Sequence, residues 1–154
     1  MATSMKLQIN TLIVAALKTI TVAAGYNTDV ASVKNTELKE WEEVRMEDIP
    51  VLFPYTGRET SEPSSIGSDP EWFAEMDYVI TGYLYDENPT TKLTNAEEFI
   101  QDVKKAVLND TDLIALVHSF DSVIVEQDEG TVENWSWFNM RIKISYQYTQ
   151  SDGG

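Results

Sequence analysis

Apolar and polar residues alternate without a slip from Phe138 to Tyr148: Phe138, Met140, Ile142, Ile144, Tyr146 and Tyr148 fall on one side, and Asn139, Arg141, Lys143, Ser145 and Gln147 on the other. Side chains on a strand change face at every residue, so the stretch from Trp135 to Tyr148 predicts one long strand with an apolar and a wet face. A second alternating stretch, Trp72 to Tyr85, puts Met76, Tyr78, Ile80 and Leu84 on one side and Glu75, Asp77, Val79, Thr81, Tyr83 and Tyr85 on the other. Gly82 inside it marks either a bulge or a close backbone approach. Ser119 to Glu126 reads as a further strand that pairs with the last one through the acidic turn Gln127 to Thr131.

A different period governs Leu7 to Ala24, where Ile9, Leu12, Ile13, Ala16, Leu17, Ile20 and Ala24 recur at helical spacing. Lys6 before the run Leu12 to Leu17 imitates a secretory leader. The run is short and Lys18 interrupts it, so an amphipathic core helix is the reading. Gly25 fits the position after a helix. Tyr26 to Val33 predicts a first strand, and Lys34 to Asp48 a charged loop or short helix anchored by Trp41 and Val44. Ile49 to Phe53 is a compact apolar strand between Pro50 and Pro54, and Thr56 to Asp69 reads as a turn-forming loop. Thr94-Asn95-Ala96-Glu97 has the form of a capping box and predicts a helix to about Asn109, with Ala96, Phe99, Ile100, Val103 and Val107 buried. Leu113 to His118 is a short apolar turn or helix. The order predicts one α+β domain over residues 1–154, a mixed or antiparallel sheet flanked by two main helices, with residues 1–5 and 149–154 as flexible ends.

Charge narrows the function. Twenty-six acidic residues against 11 basic ones give a net charge of -15 over 154 residues. Such a surface repels phosphate backbones and anionic membranes, so neither nucleic-acid binding nor membrane docking is expected. With no cysteine and one histidine, thiol chemistry, disulfides and Cys- or His-rich metal sites fall away.

Catalytic patterns are equally thin. The chain has no phosphate-cradling glycine loop, HExxH, GxSxG or calcium-loop spacing. Asp110 and Asp112 follow a helix and suit a turn better than a metal; Asp86-Glu87 and Asp128-Glu129 read as solvated loop pairs. His118 follows an apolar run and suits packing or capping better than general-base work. No catalytic, cofactor-binding or metal-ligating residue is singled out.

Three stretches carry a resemblance. An opening helix runs into Gly25-Tyr26-Asn27-Thr28-Asp29-Val30; Glu42-Glu43-Val44 and Glu47-Asp48 lead into Ile49-Pro50-Val51-Leu52-Phe53; and Val79-Ile80-Thr81-Gly82-Tyr83-Leu84-Tyr85 precedes the helix around Ala96 to Val107 and then Asp110 to Leu113. In this order they resemble the tail terminator (tail completion) proteins of long-tailed bacteriophages, from about Leu7 to Tyr148. The resemblance implies a non-enzymatic virion protein at the head–tail junction, assembled in the host cytoplasm. Its subunits would form a homo-hexameric ring that stacks on the tail tube protein, stops elongation, offers a surface to the head connector and leaves a channel for DNA, with no cofactor. On this reading the acidic loop residues Asp128, Glu129 and Glu133 face the channel, where like charge keeps DNA from adhering. The interface candidates are Trp41, Arg58, Trp135, Arg141 and Lys143.

Other readings stay open: another neck or connector-type virion protein, a soluble acidic module that recognises a partner by a sheet edge, or an acid–base enzyme with carboxylates in a pocket.

Overall fold

The computed structural model describes residues 4–35, 43–128 and 132–149. Five strands form one mixed sheet: β1 (Ser32–Val33), β2 (Val51–Pro63), β3 (Glu71–Tyr85), β4 (Ser119–Gln127) and β5 (Trp135–Thr149), in spatial order β1-β2-β3-β5-β4. Only β1 and β2 run parallel; the other neighbours are antiparallel. Helices α1 (Met5–Leu17), α2 (Pro89–Leu108) and α3 (Thr111–Leu116) complete the fold. The α+β class and the sheet with two main helices are therefore as the pattern predicts.

Period two in β5 and β3 decides the core. The two strands pair without interruption from Glu71↔Thr149 to Tyr85↔Trp135. This stacks Met76 on Ile144, Tyr78 on Ile142 and Ile80 on Met140 in the register, all fully buried. The helices supply the other half of this core: Ile9, Ile13 and Leu17 from α1, Phe99 and Val103 from α2, and Leu113 from α3 belong to the same cluster. Burying each such side chain contributes about 1.5–3 kcal/mol before chain entropy is counted. Tyr78 reaches Asn10 on α1 through a 2.7 Å hydrogen bond, so its hydroxyl is not left unpaired under the helix.

Gly82 resolves as a close approach. A Cβ there would lie 2.3 Å from Cε1 of Phe138, whose ring packs edge-on against Phe99 at 5.4 Å. The irregularity in this part of the sheet sits instead on β2, between Thr56 and Glu59, where Gly57 backs onto the carbonyl of Asp77.

Several boundaries differ from the expectation. The first helix stops at Leu17, not Ala24: the β-branched run Thr19 to Val22 leaves the helical path, and Thr21 caps a separate 3-10 turn, Val22–Ala24. Gly25 ends that turn in the left-handed region, at φ 96°. The strand expected over Tyr26 to Val33 shrinks to Ser32–Val33, because the preceding residues serve as a tether to α2. The loop expected from Thr56 to Asp69 is mostly strand. Glu59 to Pro63 pair with Met76 to Trp72, and this partnership outweighs the turn-forming composition. The second helix begins five residues before the Thr94 box. Asn88 caps it by accepting from Thr90 N–H at 3.0 Å, with Pro89 at the first turn, and Thr94 is an exposed mid-helix residue.

Candidate functional site

The sheet has two unlike faces. Its helix-covered face is the core just described. On the opposite face the rows read Val51–Tyr83–Trp137, then Phe53–Thr81–Asn139–Glu126, then Tyr55–Val79–Arg141–Ile124, then Asp77–Lys143–Ser122.

One end of this face is closed by its own chain. Val44, Val51, Phe53 and Tyr83 are buried together, with Ile49, Trp135 and Trp137 packed against them. Phe53 meets Tyr83 edge-on at 5.9 Å, and Tyr85 meets Trp135 at 5.6 Å. Asp48 clips the covering segment down: its carboxylate pairs with Lys34 at 3.1 Å and Arg45 at 3.6 Å, and its carbonyl accepts from Ser32 Oγ at 2.7 Å. The Lys34 hydrogen bond, helped by the charges of Lys34 and Arg45 and opposed by burial, holds the Asp48 carboxyl below its ordinary value.

On the rest of the face Arg58, Ile124, Glu126 and Arg141 are exposed and Tyr55 and Asn139 half-buried, while Val79 and Thr81 are buried among them. Tyr55, Val79, Ile124, Glu126, Asn139 and Arg141 line a depression, and Asn139 Oδ1 accepts from the buried Thr81 hydroxyl at 2.5 Å. Arg58, Thr60, Glu75, Asp77 and Lys143 line a second, polar one, in which Lys143 Nζ lies 3.4 Å from Glu75 Oε1. The structure thus brings three interface candidates, Arg58, Arg141 and Lys143, onto one open face. Trp135 sits at the closed end against Tyr85, and Trp41 lies outside the described residues.

The acidic loop candidates divide in the same way. Asp128 takes the backbone N–H of Trp137 at 3.1 Å, while its own N–H donates to the Trp137 carbonyl at 3.1 Å, so it closes the β4–β5 hairpin. Glu133 is exposed near the start of β5, and Glu129 lies outside the described residues.

The other carboxylates have local partners. Asp110 caps α3 by accepting from Leu113 N–H at 2.9 Å. Asp86 accepts from Thr91 Oγ1, Asn88 N–H and Asn95 Nδ2, and these bonds hold its carboxyl below the ordinary range. Asp121 is lowered likewise by the hydroxyls of Ser119 and Ser145. His118 is exposed and sits edge-on to Phe73 at 5.6 Å, a packing contact. Among the described residues no three His, Asp or Glu side chains are grouped to hold a metal ion, and no helix is long and apolar enough to cross a membrane.

Sequence reasoning passed over Tyr55, Ile124 and Asn139. Their signal was the second face of each strand: a partly apolar set, Tyr55, Val79 and Ile124, recurring opposite a face already committed to the core.

No family model and no curated protein matches this chain. Among solved structures, a chain described as "Virion of native gene transfer agent (GTA) particle" is similar at a TM-score of 0.38 and 13% identity, covering 88% of this chain and 92% of that one. That likeness is too distant to carry fold or function across.

Proposed function

We propose that this chain is a structural virion protein whose copies form a ring on the end of a phage-type tail tube, halting its growth and offering a joining surface to the head connector. The supporting observation is the half-open sheet. Its helix face is a sealed core, while on the opposite face Arg141 and Ile124 are exposed and Tyr55 is half-buried around a buried Val79. A face of mixed apolar and Arg/Tyr composition is what a protein–protein interface uses, and a ring needs such a seam on every subunit. The motif stretches of the tail terminator resemblance also take structural positions: Gly25 to Val30 links α1 to β1, and Val79 to Tyr85 lies in the central strand β3.

In this reading the loop around Glu129 and Glu133 lines the channel and repels DNA, and DNA passes without specific contacts. Native mass spectrometry over a concentration series, with electron micrographs of the same samples, tests the ring: six copies around a central hole are expected. A strict monomer that also fails to sediment with tail tubes contradicts it.

One observation favours a second reading. β4 is a terminal strand of the sheet, with no further strand beyond it among the described residues. A binding module would use that edge to add a partner's strand. It predicts a stable monomer with no affinity for tubular assemblies.

A further inference from the structure

The open sheet face is where the chain's charge stops being one-sided. On the strip around Tyr55, Val79 and Ile124, the cations Arg58, Arg141 and Lys143 stand beside Glu75, Asp77 and Glu126. With Asp121, which accepts from the Ser145 hydroxyl next to Glu75, three positive and four negative groups leave the strip near neutral, in a chain of net charge -15. Two copies of so acidic a protein repel wherever their ordinary surfaces meet, so contact is favoured only through a strip that is near neutral or basic.

Four of the cations elsewhere are engaged. Lys34 and Arg45 pair with Asp48, Lys92 Nζ donates to the Val132 carbonyl at 2.9 Å, and Lys105 lies 4.9 Å from the centre of the Tyr26 ring. Arg58 and Arg141 form no ion pair among the described residues, and both are exposed. Arginine beside exposed aliphatic and tyrosine surface is the composition of interface hot spots, because the guanidinium binds carboxylates bidentately and is weakly hydrated. Ile124, 53% exposed at the centre of β4, supplies apolar surface that gains from being covered.

We infer that this strip is the docking surface for a second copy of the chain, with Arg58 and Arg141 receiving carboxylates from the neighbour and Ile124 covered at the contact. The inference deepens the ring reading, which leaves the seam unassigned. It also stands without it, since a closed pair of copies meeting here satisfies the inference and contradicts the ring.

The test is sedimentation velocity, with native mass spectrometry, on wild type, Arg141→Glu, Ile124→Asp and Lys18→Glu across concentration and salt. Lys18 is an exposed cation at the end of α1, so Lys18→Glu makes the same charge change away from the strip. Each substituted side chain is exposed, and circular dichroism verifies that each variant is folded. Wild type is expected to self-associate as concentration rises, with salt screening both the ion pairs at the strip and the repulsion between the two acidic copies. Arg141→Glu and Ile124→Asp should each weaken association on the order of tenfold or more, with Lys18→Glu close to wild type.

Equal association of Arg141→Glu, Ile124→Asp and Lys18→Glu overturns the inference while leaving a ring built through another face. Wild type that stays monomeric at every concentration overturns it as well, and points to a different protein as the occupant. A wild-type dimer lost in the strip variants upholds it and removes the ring.

Discussion

The buried carboxylate of Asp102 on α2 holds the backbone N–H of Asn27, 3.1 Å from Oδ1 and 3.0 Å from Oδ2, and takes a further bond from Asn27 Nδ2 at 3.2 Å. Asp102 is 3% exposed, so this contact across 75 residues is where the Gly25-Tyr26-Asn27-Thr28-Asp29-Val30 turn is fastened to the helix layer. Asp29 fastens the other side of the same turn, accepting from Val22 N–H at 2.7 Å. The turn is thus a structural joint between α1 and β1.

Replacing Asp102 with Ala therefore takes both acceptors from the part-buried Asn27 N–H as well as the Nδ2 bond, at a cost on the order of 1–3 kcal/mol. Asn27→Ala removes only the side-chain bond and should cost under about 1 kcal/mol, since the backbone bond survives. Urea unfolding of both variants checks the ordering; equal losses would show that the backbone contact is not what matters.

Gly82 carries a second prediction. A methyl group there meets the Phe138 ring, which Phe99 confines from the far side. Gly82→Ala should destabilise by about 1–3 kcal/mol through overpacking. Phe138→Leu in the same chain should recover part of that loss, so a double-mutant cycle with strictly additive effects would contradict the contact.

These two sites show what was and was not legible in the sequence. The faces of β3 and β5 were readable because an unbroken period of two has no other physical interpretation. The distal half of β2 was not, because Gly57, Ser61 and Pro63 signal a turn, whereas pairing with β3 decides the outcome. The start of α2 was missed because two cap sequences compete. Asn88-Pro89 prevails, with Asp86 bound to Thr91 and Asn95 on the new first turns. Asp102 looked like one charge among many in a helix, although its spacing of three from Phe99 and four from Ala106 placed it on the buried stripe. Of the open face, Arg58, Arg141 and Lys143 were singled out and Ile124 was not. One face of each strand can be assigned from its pattern, but which face the helices cover depends on the three-dimensional layout.

Acid should loosen the fold through specific carboxylates. Asp48, Asp86 and Asp121 all have folded-state values lowered from 3.8. A lowered value means that the unfolded chain takes up the proton first. Their contribution is complete above about pH 5, begins to fall as pH drops through the unfolded value, and is lost below the lowered ones. Asp86→Asn and Asp121→Asn should therefore be less stable near neutrality yet lose less further stability between about pH 5 and pH 2. Tyr146 works at the other end: burial first, and then the Glu59 carboxylate it donates to, raise its hydroxyl value. Its contribution is intact at neutrality and begins to fall above about pH 10, where the unfolded phenol ionises. Chemical denaturation across pH checks both limbs.

The channel assignment predicts a gain of function. Glu129→Lys with Glu133→Lys should make assembled rings retain linear duplex DNA at moderate salt and release it steeply as salt rises. Gel-shift titration of rings compares the variant with wild type, which should not retain DNA. Asp128 is left in place, because its carboxylate closes the hairpin on Trp137.

The central claim is that this chain ends a tube, and tube length tests it most directly. Tail tubes polymerised from a phage-type tail tube protein would be grown with and without the chain, then measured by electron microscopy. The account predicts that added protein arrests elongation and leaves a ring of density at one tube end. Tubes of unchanged length with bare ends would contradict it.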